Sequence, residues 1–309
     1  MIRLGISSCL LGNNVRYDGV HKRDSFIADT LARHVEFVPL CPEVAIGLGV
    51  PRPPIQLAGN AAAPRARGVT DETVDVTQAL LAYGQGMARE LGDISGYVFK
   101  ARSPSCGVDG VPLQGHAQRR GVRGLYAAAV MAALPLLPVA QEDDLGDPLR
   151  RENFLQRVLV YHRWQQLTIQ GVTATRLVDF HTAHKLVVMA HGTEPYRRID
   201  RLVAGVGRGS LDTLADTYIR QLMLALGHRA TAKRHTHVLM HLMGYLKQQL
   251  SAADKAELLE VIHAYRLGRV PRSMPQTLLR QHFQQHPHAY VRRQYYLYPP
   301  VDEPRLDDL

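Results

Sequence analysis

Leu4-Gly-Ile-Ser7 (LGIS), running straight into Ser8-Cys9-Leu-Leu-Gly12, sets the reading of the N-terminal half. A short aliphatic run that ends on small polar residues and a glycine has the composition of a buried strand entering a turn. Two further segments repeat the pattern: Glu36–Leu40 (EFVPL) enters Cys41-Pro42-Glu43, and Tyr97–Lys100 (YVFK) enters Ala-Arg-Ser103-Pro-Ser105-Cys106-Gly107. Leu136–Val139 is a fourth strand candidate. Between them, Ser25–His34, Val74–Leu91 and Leu125–Ala133 have helical period or composition, with Ser25 placed to cap the first and Asp71-Glu72 supplying acids to the start of the second. Pro51–Arg67, with four prolines and much alanine, reads as a loop. Alternating strands and helices predict an α/β domain with a mostly parallel, Rossmann-like sheet and flanking helices.

The acidic stretch Glu142–Pro148 (EDDLGDP) interrupts this alternation, and we expect the domain boundary there, giving domains 1–147 and 148–309. Beyond it strand signals vanish. Glu152–Ile169, Thr175–His191, Tyr196–Ala204, Leu211–Leu226, Thr231–Leu250, Asp254–Leu267 and Thr277–Gln285 read as helices, so the C-terminal domain is predicted to be all-α.

The chain's 309 residues, 46% hydrophobic and 21% charged, are enough for two ordinary cores and exclude collagen-like or mainly disordered chains. The longest weakly polar run, Leu125–Ala140, holds Pro135 and Pro138 and is too short and broken to span a bilayer. With no signal-peptide core at the start, the expected location is cytoplasmic.

Charge divides unevenly. Residues 1–150 carry 15 basic and 15 acidic side chains, whereas 151–309 carry 22 basic and 13 acidic, with four of those acids (Asp302, Glu303, Asp307, Asp308) in the last nine residues. The formal +9 of the chain therefore sits in the helical half, which suits a polyanion such as nucleic acid. Lys185, Arg197, Arg198, Arg201, Lys233, Arg234, Arg292 and Arg293, together with Arg176, are the candidate RNA contacts. Tyr295, Tyr296 and Tyr298 beside Arg292-Arg293 are candidate base-stacking residues or core aromatics. His181/His184 and His237/His241 have helical spacing but no H-E-x-x-H pattern, and read as surface or hydrogen-bonded core histidines.

The three cysteines are too few and odd in number for a disulfide framework. Each follows a predicted parallel strand, and the carboxyl ends of such strands share one edge where ligands bind. Two readings stand on the residues alone: small buried thiols, or three ligands meeting in a pocket. A structural zinc site wants a fourth protein ligand that is not evident here, while a [4Fe–4S] cluster on three cysteines keeps one iron open. Glu43 fits a proton-transfer role or the first-turn acid of a helix. Arg16, Tyr17 and Asp18 fit a pocket wall or an Asp-Gly turn.

The set SSCLLG-x-x-VRYDG (Ser7–Gly19), CPE (Cys41–Glu43) and SPSCG (Ser103–Gly107) resembles the DUF523 family, the thiouracil desulfidases. FHTAHKLVVMAH (Phe180–His191), LMHLMGYLK (Leu239–Lys247), YRLGRVP (Tyr265–Pro271) and QYYLYP (Gln294–Pro299) resemble the DUF1722 family. The fused arrangement is similar to bacterial desulfidases acting on thiolated uridine in tRNA. The resemblance implies that Cys9, Cys41 and Cys106 hold a [4Fe–4S] cluster with one open iron. It also implies that Glu43 and Ser103 are catalytic, and that the reaction is non-redox C–S cleavage releasing sulfide. Arg16, Tyr17, Asp18 and Ser105 are then substrate-binding candidates, with tRNA the partner and 4-thiouridine the expected target. Two alternatives differ in class: a desulfidase of free thiouracil or thiouridine, and a cluster-based redox sensor that binds RNA without catalysis. A radical enzyme would want a closely spaced cysteine triplet, which is absent.

Overall fold

The computed structural model describes residues 1–115, 122–301 and 303–304. Of the acidic tail noted above, Asp302, Asp307 and Asp308 lie outside them. The chain divides into two compact units, Met1–Gln165 and Gln166–Asp308, so the division falls inside a long helix (α5, Pro148–Ile169).

In the first unit, β1 (Arg3–Ser7), β2 (Glu36–Leu40), β5 (Gly96–Phe99) and β6 (Val139–Gln141) form a four-stranded sheet in the order β2-β1-β5-β6, all parallel. Ser7 lies opposite Leu40, and Ile6 opposite Val98, so β1, β2 and β5 end nearly flush. The chain moves from β1 to β2 on one side and later to β5 on the other, which makes the β1/β5 edge the point where strand order reverses. Close packing at the centre depends on glycine: a Cβ on Gly5 would lie 2.3 Å from the Tyr97 ring. That ring stacks on Phe99 at 3.8 Å in a core completed by α2 (Thr77–Glu90) and α3 (Leu125–Ala133). The weak-strand region shifts to Val139–Gln141 because Pro138 has no N–H for a ladder; its carbonyl instead accepts from Tyr97 N at 2.9 Å.

Three local expectations are corrected. Pro51–Arg67 is no loop: β3 (Ile55–Asn60) and β4 (Ala63–Gly68) pair as an antiparallel hairpin, hidden from pattern reading by alanine and proline at strand positions. Ser25 does not cap the first helical stretch, which is one π turn (Phe26–Thr30) and one 3₁₀ turn (Leu31–Arg33). Asp24 caps it instead, accepting from Ile27 N at 3.0 Å. Asp71, exposed, accepts from Thr73 N and Oγ1 instead, and Asp75 takes the N-terminal position of α2 by accepting from Thr77 N at 3.0 Å.

Two short helices, α1 (Pro42–Ala45) and α4 (Glu142–Leu145), complete the first unit with the first part of α5. The second unit holds α6 (Ala174–His191), α7 (Thr193–Val203), α8 (Leu211–Gly227), α9 (Ala232–Gly244), α10 (Ala252–Arg266), α11 (Ser273–Gln285) and α12 (Ala289–Arg292). Thr173, Ser210, Thr231 and Ser251 cap four of these helices through their side chains. Helix α9 stops at Gly244, six residues before the expected Leu250, where glycine weakens the helix and tighter turns follow. Among the described residues no helix is long and apolar enough to cross a membrane.

The helical unit buries several histidines, His181, His184, His191 and His235 among them. His184 Nδ1–H donates to the Phe180 carbonyl at 2.7 Å, and His191 Nδ1–H to the His228 carbonyl at 2.6 Å. His235 accepts from Arg272 at Nε2 (3.2 Å), so its proton sits on Nδ1 and is given to the Tyr296 hydroxyl at 2.9 Å. Burial holds His181, His235 and His241 below the ordinary histidine value, the Asp200 carboxylate opposing it at His181. The folded state disfavours charging the buried His181 and His235 rings while the unfolded chain protonates them below about pH 6.5, so their stabilising contribution is present above that pH and falls as pH drops through it; exposed His241 adds little. We expect urea-unfolding midpoints to drop between pH 7.5 and 5.5, at up to about 1.4 kcal/mol per pH unit for each ring. Equal midpoints would show the rings to be no less basic than free histidine.

Candidate functional site

The residues that follow β1, β2 and β5 close around a cavity of about 530 Å³. Cys9, Cys41 and Cys106 all line it, with Glu43, Ser103, Arg16 and Tyr17, so the flush strand ends bring together residues far apart in sequence. Cys9 sits in a 3₁₀ turn (Ser8–Leu11), and its carbonyl accepts from Gly12 N and Lys22 N. Cys41 immediately precedes α1, and its thiol points to the Val15 carbonyl at 3.6 Å. Cys106 is carried by a turn in which Ser103 Oγ accepts from the backbone N–H of Ser105 (3.2 Å) and of Cys106 (3.0 Å).

That third turn is held from two sides. The Pro104 and Ser105 carbonyls accept from Leu125 N and Ala127 N, satisfying free donors at the start of α3. Glu142 reaches back to the Lys100 ammonium and accepts from Ala101 N at 2.6 Å. Gly124 passes so close that a Cβ would lie 2.5 Å from the Ser105 carbonyl carbon and 2.7 Å from Cys106 N. Backbone cannot yield as a flexible side chain can. Gly124→Ala is therefore expected to cost about 1–3 kcal/mol in urea unfolding and to displace the Cys106 turn. An unchanged midpoint would show that the turn moves freely.

Burial governs the thiols. It pushes Cys9 up to about 11, with Lys100 and Arg16 opposing and Cys41 adding to the rise. It also raises Cys41 and lifts Cys106 well above the thiol range, where a Ser7 hydroxyl works the other way. At neutral pH these side chains stay protonated unless something cationic joins them, because metal ligation requires the thiolate. Among the described residues no three His, Cys, Asp or Glu side chains converge as they would on a single metal ion. Three soft sulfur donors lining one cavity fit an iron–sulfur group.

Glu43 is held firmly. Its Oε2 accepts from Arg52 Nε (2.9 Å) and Nη2 (2.7 Å), and its Oε1 accepts from Ser105 Oγ (2.8 Å). Thus Ser105, rather than Ser103, is the hydroxyl bonded to Glu43. Ser105 is fully buried, while Ser103 lines the cavity. Arg16 and Tyr17 form part of the wall, with the Arg16 guanidinium 5.4 Å over the Tyr17 ring. Asp18 does not line the cavity; it pairs with Arg16 through both carboxylate oxygens at 3.2 Å and accepts from Val20 N, the geometry of a turn. Sequence reading missed Arg52, Lys22, Lys100 and Arg102, all of which line the cavity. None belongs to a local motif, and the proline-rich surroundings of Arg52 gave no sign of a functional position.

The sequence pattern described as 2-thiouracil desulfurase matches residues 4–142. YbgA of Escherichia coli (strain K12) is 30% identical over 153 residues, which are 48% of this chain and 90% of YbgA. YbbK of Bacillus subtilis (strain 168) is likewise 30% identical over 153 residues, 47% of this chain and 98% of YbbK. The chain belongs to the 2-thiouracil desulfurase (DUF523) family. Its C-terminal part, residues 185–300, matches a second pattern, the protein of unknown function DUF1722, so one polypeptide joins the two. Among solved structures, the [4Fe-4S]-dependent thiouracil desulfidase TudS (DUF523Vcz) is similar at 28% identity over 47% of this chain and 94% of that one, with a TM-score of 0.37.

The candidate RNA contacts lie on several elements of the second unit. Lys185 on α6 is half-buried, its ammonium 2.6 Å from Asp200. On α7, Arg198 pairs with Glu194 at 3.6 Å, whereas Arg197 and Arg201 are exposed. Lys233 and Arg234 open α9 and are exposed, as are Arg292 and Arg293, the latter bonded to Asp179. Exposed Arg176 donates to the Gly171 carbonyl at 2.9 Å. The neighbouring tyrosines are half-buried: Tyr296 bonds His235, Tyr295 meets the His184 ring edge-on at 4.9 Å, and Tyr298 packs on the helical core.

Proposed function

We propose that this chain is an iron–sulfur-dependent desulfidase that converts thiolated uridine in tRNA, chiefly 4-thiouridine, to uridine. The overall reaction exchanges the thiocarbonyl for a carbonyl with water and releases sulfide, with no net electron transfer. The observation that carries the reading is that Cys9, Cys41, Cys106 and Glu43 line the same cavity, supported by the family to which the chain belongs. Cys9, Cys41 and Cys106 would hold a [4Fe–4S] cluster, which when bound supplies a sulfur-seeking Lewis-acidic iron.

The chain's own residues do the rest. Glu43 moves a proton to or from the incoming water and the ring nitrogen. Ser103 lines the cavity, and its hydroxyl, which keeps its own proton to donate while accepting from two backbone N–H groups, orients the base or relays that proton. Arg16 and Tyr17 bound the space in which the ring lies. The tRNA reading rests on charge: the +9 of the chain belongs to the half beyond residue 150, and phosphate contacts supply much of RNA affinity. A second reading, hydrolysis of the free thiobase, is favoured by one specific feature: every residue lining the cavity falls between Ser7 and Cys106.

The deciding experiment reconstitutes the full-length protein anaerobically with iron and sulfide and offers it bulk bacterial tRNA and free 4-thiouracil in parallel. Nucleosides from the digested tRNA are then quantified. Loss of 4-thiouridine matched by gain of uridine, weakening steeply between 50 and 200 mM salt, is the expected result. Turnover of the free base alone would favour the second reading. RNA affinity that depends on the cluster, without turnover of either substrate, would replace both with a sensor.

A further inference from the structure

Arg52 makes an unusual number of hydrogen bonds for a side chain bordering a cavity. Its side chain is only 4% exposed. Nη1 donates to the Val15 carbonyl (3.0 Å) and the Gly49 carbonyl (2.8 Å), while Nε and Nη2 both donate to Glu43 Oε2. Its own backbone N–H donates to the Tyr17 carbonyl at 2.9 Å. A guanidinium with three nitrogens committed in one plane cannot swing, so the carboxylate it grips cannot swing either.

On the other side, Ser105 Oγ donates to Glu43 Oε1. The carboxylate thereby ties together the three segments that carry the cysteines. Val15, on the chain after Cys9, is reached through Arg52; Glu43 is two residues after Cys41; Ser105 immediately precedes Cys106. The two oxygens are not equivalent. Oε2 takes two donors, whereas Oε1 takes one and keeps a free lone pair.

We propose that Arg52, assisted by Ser105, is a positioning residue that pins Glu43 through Oε2 and reserves Oε1 as the oxygen that exchanges the proton with substrate or water. This inference rests on the desulfidase reading. Misplacing a proton-transfer group by about 1 Å can cost on the order of 10²-fold in turnover without altering what binds.

The test uses full-length, anaerobically reconstituted protein with 4-thiouracil and bulk tRNA as substrates and uracil as the binding probe. Wild type is measured first on both: a cluster-loaded wild type that releases sulfide from neither overturns the desulfidase reading before any variant is considered, and the variants are assayed on the substrate that wild type turns over. Given an active wild type, Arg52→Ala is expected to lose about 10²-fold in kcat while KM stays within about threefold. Its uracil affinity by calorimetry and its iron and sulfide content per chain are expected to match wild type.

Methylguanidinium in the buffer should raise kcat of Arg52→Ala by about tenfold or more and leave wild type and Glu43→Gln unmoved. Arg52→Lys keeps the charge but not the planar set of donors and should remain at least about tenfold down. Ser105→Ala, a milder change that covers the case of poor folding in the arginine variants, should lower kcat by about tenfold. The proposal is overturned by kcat of Arg52→Ala within about threefold of wild type, by losses that scale with lost iron so that turnover per cluster is constant, or by absence of rescue.

Discussion

Serine in place of any one of Cys9, Cys41 or Cys106 is expected to leave the reconstituted protein unable to retain its iron and to lower thiouracil turnover by on the order of 10⁴-fold, the scale seen when one member of a unit that acts together is removed. The three thiols line one cavity from three separate strand ends, and the described residues offer no further cysteine to take a lost place. A serine hydroxyl is a hard, weakly acidic donor that iron–sulfur chemistry does not favour. Serine fits the space of cysteine, so the far-UV circular dichroism of the metal-free variants should match wild type, while a buried hydroxyl is expected to lower stability in urea unfolding by about 1–3 kcal/mol. Iron, acid-labile sulfide and visible absorbance per chain are the measurements. Full iron retention in any single variant would remove that cysteine from the ligand set.

Glu43→Gln is expected to behave in the opposite way: iron content unchanged, turnover reduced about 10²- to 10⁴-fold, the usual range for a general acid or base. Glutamine preserves the shape of the side chain but presents no carboxylate to Arg52. Arg52 and Glu43 are 4% and 14% exposed, so the change also leaves a buried guanidinium without its counter-charge. Breaking such a pair costs about 3–5 kcal/mol, which urea unfolding of the metal-free protein will register separately from turnover. If Glu43 were only structural, the stability loss would be the same while turnover per cluster stayed near wild type.

Several elements were readable because their signal is local. β1 and β2 follow from short aliphatic runs, and α3 from an apolar stretch begun after a glycine and ended before a proline. The cysteines gained meaning from one topological rule, that parallel strands end on the same edge. The hairpin of β3 and β4 was not readable, because its residues, alanine, glycine and proline among them, carry weak strand preference. Arg52 lies at the entry to that hairpin, in a stretch whose composition says only loop. Ser103 and Ser105 could not be separated by sequence, since each is a serine within three residues of Cys106. Their different partners, two backbone N–H groups for one and the Glu43 carboxylate for the other, arise from how the turn folds onto α1 and α3.

Family membership, the parallel α/β character of the first half, the helical character of the second and the uneven charge were all present in the order of residues, because periodicity, composition and short motifs are properties of neighbouring positions. The assignment of partners was not. Which hydroxyl meets Glu43, which cation grips it and which of the basic side chains are already paired depend on polar atoms, some close in sequence and some tens of residues apart, being brought within 3 Å or so. Hydrogen bonds and ion pairs act only at such range, so they come into being with the packed fold.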